Sequence, residues 1–423
     1  MRAALVGCLV TLLAGAWGCA TESSDLRVAV ASGKFGDALA IYERGTPPDP
    51  DTLTAIAEAT LARTALAPED RTREAAFSAL AVSGTHARDV LEELTGAEAP
   101  AVRARALQLL ARLGNLQARD ALLDFVDSPD ADARAASIEA LDPDADLARI
   151  GALAEAPSGV VRLAAVGALA RAQASDATRL FLARIAGHDP RTEVRAAALA
   201  ALAHQGPAAA ESIEARLTDA DPRVRMAAIG ALVRADPSRA RQTLDRWVAS
   251  DASAEGIEAA RVLLMEHVAD ATDAARAHLA RALASSSGNL RAQAAVALSA
   301  LPPADRAAMA AEPLHGEGVR AVKLSLALAM GADDARAWAA FAGLMAGTDV
   351  VAAQAATELA RHDDATAVAR LLALRTSTSG AVRRTVVHAL GHDLDRAHDI
   401  HASLLDADVT VRIAAAAAIL AGS

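Results

Sequence analysis

A short pattern returns along most of the chain: Val-Arg, then apolar residues three, four and seven places after the arginine. It reads PAVRARALQLLARLG at 100–114, GVVRLAAVGALARAQ at 159–173, TEVRAAALAALAHQG at 192–206, PRVRMAAIGALVRAD at 222–236 and GAVRRTVVHALGHDL at 380–394. The arginines in register are Arg73, Arg103, Arg134, Arg162, Arg195, Arg225, Arg291, Arg383 and Arg412, and neighbouring clear copies stand 28 to 33 residues apart. A fixed period of this length means an array in which one unit buries too little to fold alone and stability comes from stacking neighbours. The 66 residues between Arg225 and Arg291 leave room for one degenerate copy. Two more fit before Arg383, one registered on Arg320 or Lys323 and one near Ala352, which brings the array to about twelve units.

Within a copy, the places −1, +3, +4 and +7 relative to the arginine fall inside about 140° of a helix circumference, which makes one apolar face. For Arg225 these are Val224, Ala228, Ile229 and Leu232; for Arg412 they are Val411, Ala415, Ala416 and Ile419. A second helical pattern precedes each, as in ARDALLDFV (118–126) and DATRLFLARIAG (176–187), so the unit is a pair of antiparallel helices. Composition agrees. Apolar residues make up 53% of the chain and aromatics 2%, so Ala, Leu and Val supply the core. Alanine is the strongest helix former, whereas strands favour β-branched and aromatic residues. The breaks are also helical punctuation: DADPRVR (219–225) offers Asp221 as N-cap and Pro222 at the first helical position. HDPRTEVR (188–195) repeats this with Asp189 and Pro190, and DADVTVR (406–412) keeps the acid alone.

A period near 30, paired helices, a capping aspartate and Val-Arg opening the second helix resemble the HEAT repeat family, specifically the short HEAT-like repeats first named from phycobilisome lyases, over residues 67–423. The resemblance implies an all-α fold, a right-handed α-solenoid of about twelve antiparallel helix pairs. It also implies a structural role for the recurrent arginine. A cation at the start of a helix is opposed by the helix dipole, and in that family it pairs with acids in the interrepeat turns to form a ladder. The copies around 251–268 and 349–361 lack the arginine and are expected to be places for a bend or for a locally weak interface.

Ahead of the array, LRVAVASGKFGDALAIYERG (26–45) is similar to half of a tetratricopeptide motif, with Gly33, Phe35, Ala38, Leu39 and Tyr42 in that spacing. Residues 25–66 read as an N-terminal helical cap, and TPPDPD (46–51) as a turn that admits no helix. The first 18 residues carry Arg2, an apolar stretch from Ala3 to Ala16 and then Trp17 and Gly18, the shape of a secretory signal. The stretch is shorter than the roughly 20 apolar residues of a membrane-spanning helix. It resembles a bacterial lipoprotein signal, in which the cysteine after the lipobox is lipidated and becomes the first mature residue. That implies Cys19 as the lipid attachment site and residues 19–24 as a tether. It further implies an exported chain held at a bacterial envelope membrane and facing the periplasm, with Ala20 pointing by similarity to the outer membrane. Cleavage after Ala14-Gly15-Ala16 is the alternative. Removal of residues 1–18 takes Cys8 with it, so no disulfide is available.

The face opposite the apolar stripe holds places +1, +2, +5 and +9. Here stand Arg105, Gln108 and Arg112; Leu163, Gly167 and Arg171; Ala196, Ala200 and His204; Met226, Gly230 and Arg234. Small or apolar residues with a cation at +9 suit a concave groove for a helix or an extended acidic segment of a protein partner, with Arg112, Arg171, His204 and Arg234 as a basic rail. The competing explanation is that +9 is a helix C-terminus, where cations answer the dipole and the free carbonyls. HALGHDLDRAHDIH (388–401) places Arg384, His388 and His392 on the same stripe, followed by His398 and His401. Histidines four apart on a helix can share a metal, but Ala389 stands where a zinc protease needs Glu, and no metal is assigned.

The formal charge of −11, or −12 once Arg2 leaves with residues 1–18, argues against nucleic acid. No cofactor motif, nucleophile elbow or phosphate loop appears, and no small-molecule substrate is evident. Phycobilin lyases share the repeat but need aromatic surface that this chain lacks. Deoxyhypusine hydroxylases use His-Glu pairs, and none occurs here. The reading is a non-catalytic, lipid-anchored protein-binding scaffold. The alternatives are a soluble intracellular HEAT-repeat regulator and, behind it, a lyase-type enzyme.

Overall fold

The computed structural model describes residues 21–44, 49–265, 272–391 and 397–422, and all regular structure among them is helical. The Val-Arg register falls on second helices throughout: Asp70–Val82, Pro100–Arg112, Ala131–Ser137, Gly159–Leu169, Thr192–Leu202, Pro222–Ala235, Ala254–Met265, Gly288–Ala297, Arg320–Met330, Val350–Ala360, Gly380–Leu390 and Val409–Gly422. A first helix precedes each, and within a compact unit successive second helices lie side by side. This is an α-solenoid of antiparallel helix pairs. The chain divides into two compact units, Met1–Ala140 with Thr348–Ser423, and Leu141–Gly347.

The core is built from alanine and leucine. Ala198, Leu199 and Leu202, and likewise Ala228, Ile229 and Leu232, are fully buried at the places the periodicity assigns them. Asp221 accepts from the Arg223 amide at 2.9 Å and Pro222 opens the helix, as expected. Asp189 does not repeat this arrangement. Its helix begins at Thr192 with Arg191 at the N-cap, and Asp189 instead turns the chain by accepting from the Arg191 amide. Its carboxylate is needed elsewhere, as described below.

Three boundaries differ from expectation. Pro50 is not confined to a turn: Asp49 caps a helix, Pro50–Ala65, that packs on Asp70–Val82, so the array begins inside the segment read as a cap. The stretch read as a tether is helical from Thr21, in the helix Thr21–Ala31. That helix and Phe35–Arg44, joined through Gly33 at φ 71°, pack on helix 50–65. Finally, the helix Val409–Gly422 has little polar face, and the chain itself covers it, since it packs on Pro50–Ala65 and Asp70–Val82 as well as on Gly380–Leu390. Nearby, the buried His401 holds the Glu43 carboxylate at 2.9 Å and packs at a tilt against Tyr42, with ring centroids 5.6 Å apart.

Of the two arginine-free copies, the second begins beside the unit boundary at Gly347/Thr348. The first is filled in another way: His278 occupies the space beside Gly256 and donates from Nδ1 to the Val248 carbonyl, 2.9 Å away. Burial holds the His278 imidazole below its ordinary pKa, and the neighbouring Arg281 charge adds to the effect.

Candidate functional site

The ladder arginines share one geometry. Each amide closes its helix onto the carbonyl four residues earlier. Each guanidinium then folds back to the carbonyl six residues earlier, at 2.9–3.0 Å for Arg103, Arg162, Arg195, Arg225 and Arg291. The carbonyls of the preceding turn thus offset the unfavourable dipole. Five of the arginines also reach an acid of the next repeat: Arg162 to Asp189 (2.6 Å), Arg195 to Asp219 (3.0 Å), Arg225 to Glu255 (2.5 Å), Arg291 to Glu317 (2.7 Å) and Arg383 to Asp406 (2.7 Å). Hydrogen bonds from these arginines hold Glu317 and Asp406 below the usual carboxylate range. The others vary the theme. Arg103 stands 5.6 Å over the Phe125 ring, Arg73 pairs with Asp70 at 2.5 Å, and Arg134 and Arg412 hold turn carbonyls. These residues are committed to the fold.

The proposed rail is less uniform than its spacing. In the unit formed by Met1–Ala140 and Thr348–Ser423, Arg112 is already engaged. Its guanidinium meets Glu139 through Nη2 at 2.7 Å and Nε at 2.8 Å, and this hydrogen bonding raises its pKa further. Gln108 reaches the same carboxylate at 2.6 Å, and Arg105 pairs with Glu74 at 2.6 Å. The face here is an internal hydrogen-bonded chain, and Arg112 is not an open cation. The sequence signal that was missed is the glutamate at +1 or +5 of the flanking repeats. Arg384 donates to the Thr410 hydroxyl at 3.2 Å, His388 is exposed, and His392 lies outside the described residues. His401 leaves the patch altogether for its buried place beside Tyr42. Among the described residues no group of three His, Cys, Asp or Glu is placed to hold a metal ion.

In the unit Leu141–Gly347 the +9 residues sit at helix ends. Arg171 follows the helix Gly159–Leu169 and donates to the Gly167 carbonyl at 3.3 Å, as a cation capping a C-terminus does. His204 lies past the helix Thr192–Leu202 and is exposed. Arg234 stands in the last turn of Pro222–Ala235, exposed. The second-helix face between these ends is open: Leu163 at +1 is 38% exposed, and Val296 and Leu328, both at +5 of their copies, are 63% and 46% exposed. Cys19 lies outside the described residues.

Residues 57–142 and 180–265 match the model of the HEAT-repeat family. No curated protein shows significant sequence similarity to it. Among solved structures it is similar to the karyopherin Kap121p, with 13% identity over 93% of this chain and 54% of that one and a TM-score of 0.40. It is also similar to the Escherichia coli protein YibA, at 16% identity over 65% and 92% of the two chains and a TM-score of 0.31. An engineered protein matches at 18% identity over 87% and 99%, with a TM-score of 0.28.

Proposed function

We propose that this chain is a non-catalytic scaffold that binds a protein partner on the open face of its second helices and is held to an envelope membrane through lipid on Cys19, on the periplasmic side. The observation that carries the binding reading is the contrast between the ladder cations and the exposed face of the second helices. The ladder cations are consumed by turn carbonyls and interrepeat acids. Leu163, Val296 and Leu328 instead stand exposed on the second helices, with Arg234 on the same helix layer. Apolar anchors and an open cation on one helix layer suit an amphipathic helix or an extended segment carrying acids. The anchor reading rests on the sequence of residues 1–19.

Photo-crosslinking residues placed at Val296 and at Leu328 should capture a protein in native membranes, and Arg234→Glu should reduce the capture. The same probe at Leu180, 70% exposed on the first helix Asp176–His188, serves as the control. Equal capture from Leu180 would refute the assignment of the face. Intact mass and fractionation of wild type and Cys19→Ala test the anchor: acylated protein starting at Cys19, released from membranes by the substitution, is expected. A full-length unmodified chain in the cytosol would overturn it and favour an intracellular regulator.

A further inference from the structure

The geometry points to a ligand site in the unit Leu141–Gly347: a cleft that binds an organic carboxylate with a short aliphatic body through Lys323, His315 and Arg336. This inference does not rest on the scaffold reading. The cleft has a volume of about 320 Å³ and lies where the first helices Pro303–Gly316 and Ala335–Leu344 meet the second helix Arg320–Met330. Its walls combine those three basic side chains with the buried Leu314 and Ala340 and the exposed Ala339.

The register explains why a cation is available here. The Lys323 amide closes its helix onto the Val319 carbonyl, so Lys323, not Arg320, occupies the ladder place. In the nine arginine copies that place is spent on turn carbonyls, in several of them also on the acid of the next repeat. In this copy the work is done by others: Arg320 reaches the Leu344 carbonyl at 2.9 Å, while the Glu317 carboxylate six places before Lys323 is taken by Arg291 and by the Val319 amide at 2.7 Å. Lys323 is half-buried as a residue, and its ammonium has no hydrogen bond or ion pair among the described residues. Arg336 shares its fork with Asp334, at 2.7 and 3.0 Å, so Lys323 is the uncompensated charge. Among the described residues no carboxylate lines the cleft, although the chain has 53 acidic residues against 42 Lys and Arg.

Only two lysines occur in the sequence, and the other one provides the contrast. Lys34 lines a cleft of the other unit together with Asp25, Asp37 and Glu43, which supply carboxylates from the chain itself. The Lys323 cleft lacks them and offers apolar wall in their place. A carboxylate with a short alkyl body would neutralise the ammonium and bury that body against Ala311, Leu314, Ala339 and Ala340, gaining from both charge and apolar burial. Inorganic phosphate would gain only from the charge. The volume is at the lower end for small-molecule sites.

The same scarcity makes the test direct. Reductive methylation of the full chain with 13C-formaldehyde keeps the charge and labels two lysines, whose NMR signals are assigned with Lys34→Arg and Lys323→Arg variants. Isovalerate should shift the Lys323 signal saturably, with a dissociation constant on the order of 1 mM, and leave Lys34 unmoved. Isovaleramide and inorganic phosphate should be at least tenfold weaker, and Ala339→Trp, which fills the cleft from an exposed position, should abolish the response. The peptide Ala-Ala-Leu as free acid identifies the source: tighter binding than isovalerate means the end of a protein chain, weaker binding means a free small acid. Parallel movement of Lys34 and Lys323, an equal response to isovaleramide, or phosphate binding as tightly as isovalerate would each overturn the proposal.

Discussion

Removing one ladder arginine should cost far more than removing a surface one, and Arg162 is the place to measure it. Its guanidinium meets Asp189 through Nε at 2.6 Å and Nη2 at 3.1 Å, and donates through Nη1 to the carbonyls of Ala156 and Pro157 at 3.0 and 2.9 Å. The side chains of Arg162 and Asp189 are 11% and 4% exposed. Arg162→Met keeps much of the volume but strands a buried carboxylate and two carbonyls. Breaking a buried pair by deleting one partner costs roughly 3–5 kcal/mol; because Arg162 retains some exposure, about 3 kcal/mol is expected. Arg112→Met is the control. Its pair with Glu139 leaves the side chains 50% and 31% exposed, and such pairs are worth roughly 0–1 kcal/mol. Native-state hydrogen exchange reads the local opening constant: in the helices Gly159–Leu169 and Thr192–Leu202 it should rise more than a hundredfold for Arg162→Met, and in the helices Pro100–Arg112 and Ala131–Ser137 less than tenfold for Arg112→Met. Asp189 also titrates below its ordinary value in the native protein because Arg162 and the Arg191 amide offset the effect of its burial. Its share of stability is present above pH 4 or so and disappears in Arg162→Met. If the two substitutions cost the same, the ladder is not what holds neighbouring repeats together.

Gly256→Ala should destabilise the helix Ala254–Met265 by roughly 1–3 kcal/mol, since a Cβ there would stand 2.2 Å from the His278 ring and 2.9 Å from the Trp247 carbonyl, whereas Gly230→Ala, whose Cβ would meet only the Arg234 guanidinium at an ordinary contact distance of 3.9 Å, should stabilise its helix by roughly 0.5–1 kcal/mol; thermal melts of both decide. His278 is held below its ordinary pKa, so the unfolded chain takes up a proton first, and exchange protection of the helix Thr272–Leu283 should fall as pH drops below about 6.5, a dependence that His278→Leu should remove. Glu58 behaves in the opposite sense. Burial, with help from the Asp89 charge, pushes its carboxyl up to about 7, so stability around the helix Pro50–Ala65 should decline as pH rises from 4.5 towards and past 7. Glu58→Gln should recover on the order of 2 kcal/mol at pH 8, measured by urea unfolding. Truncation after Asp408 removes the helix Val409–Gly422 and should sharply raise exchange in helices 50–65 and 70–82; unchanged protection there would mean that the contact is not part of the stable structure.

The helix pairs were legible because their causes are local. Apolar spacing of three and four residues, proline at a first helical position and aspartate before it act within a turn or two of chain, and Val224, Ala228, Ile229 and Leu232 are buried as that spacing requires. The same local grammar misplaced Asp189. A capping site and a ladder acceptor look alike in the sequence, and the choice went to Arg162, 27 residues away. The rail failed at Arg112 for the same reason, because Glu139 belongs to the next repeat.

What the sequence determined by itself is therefore the repeat, its two helices, their caps and their buried stripe. Only the tertiary structure decided who partners whom. It covered an apolar last helix with the first pair of the array, and set His401 against Glu43 across 358 residues. It also withheld partners from Lys323 while supplying them to nine arginines in equivalent places. Periodicity specifies which side of a helix faces inward. Which charged atoms then come within 3 Å depends on how neighbouring repeats stack, and no single repeat contains that information.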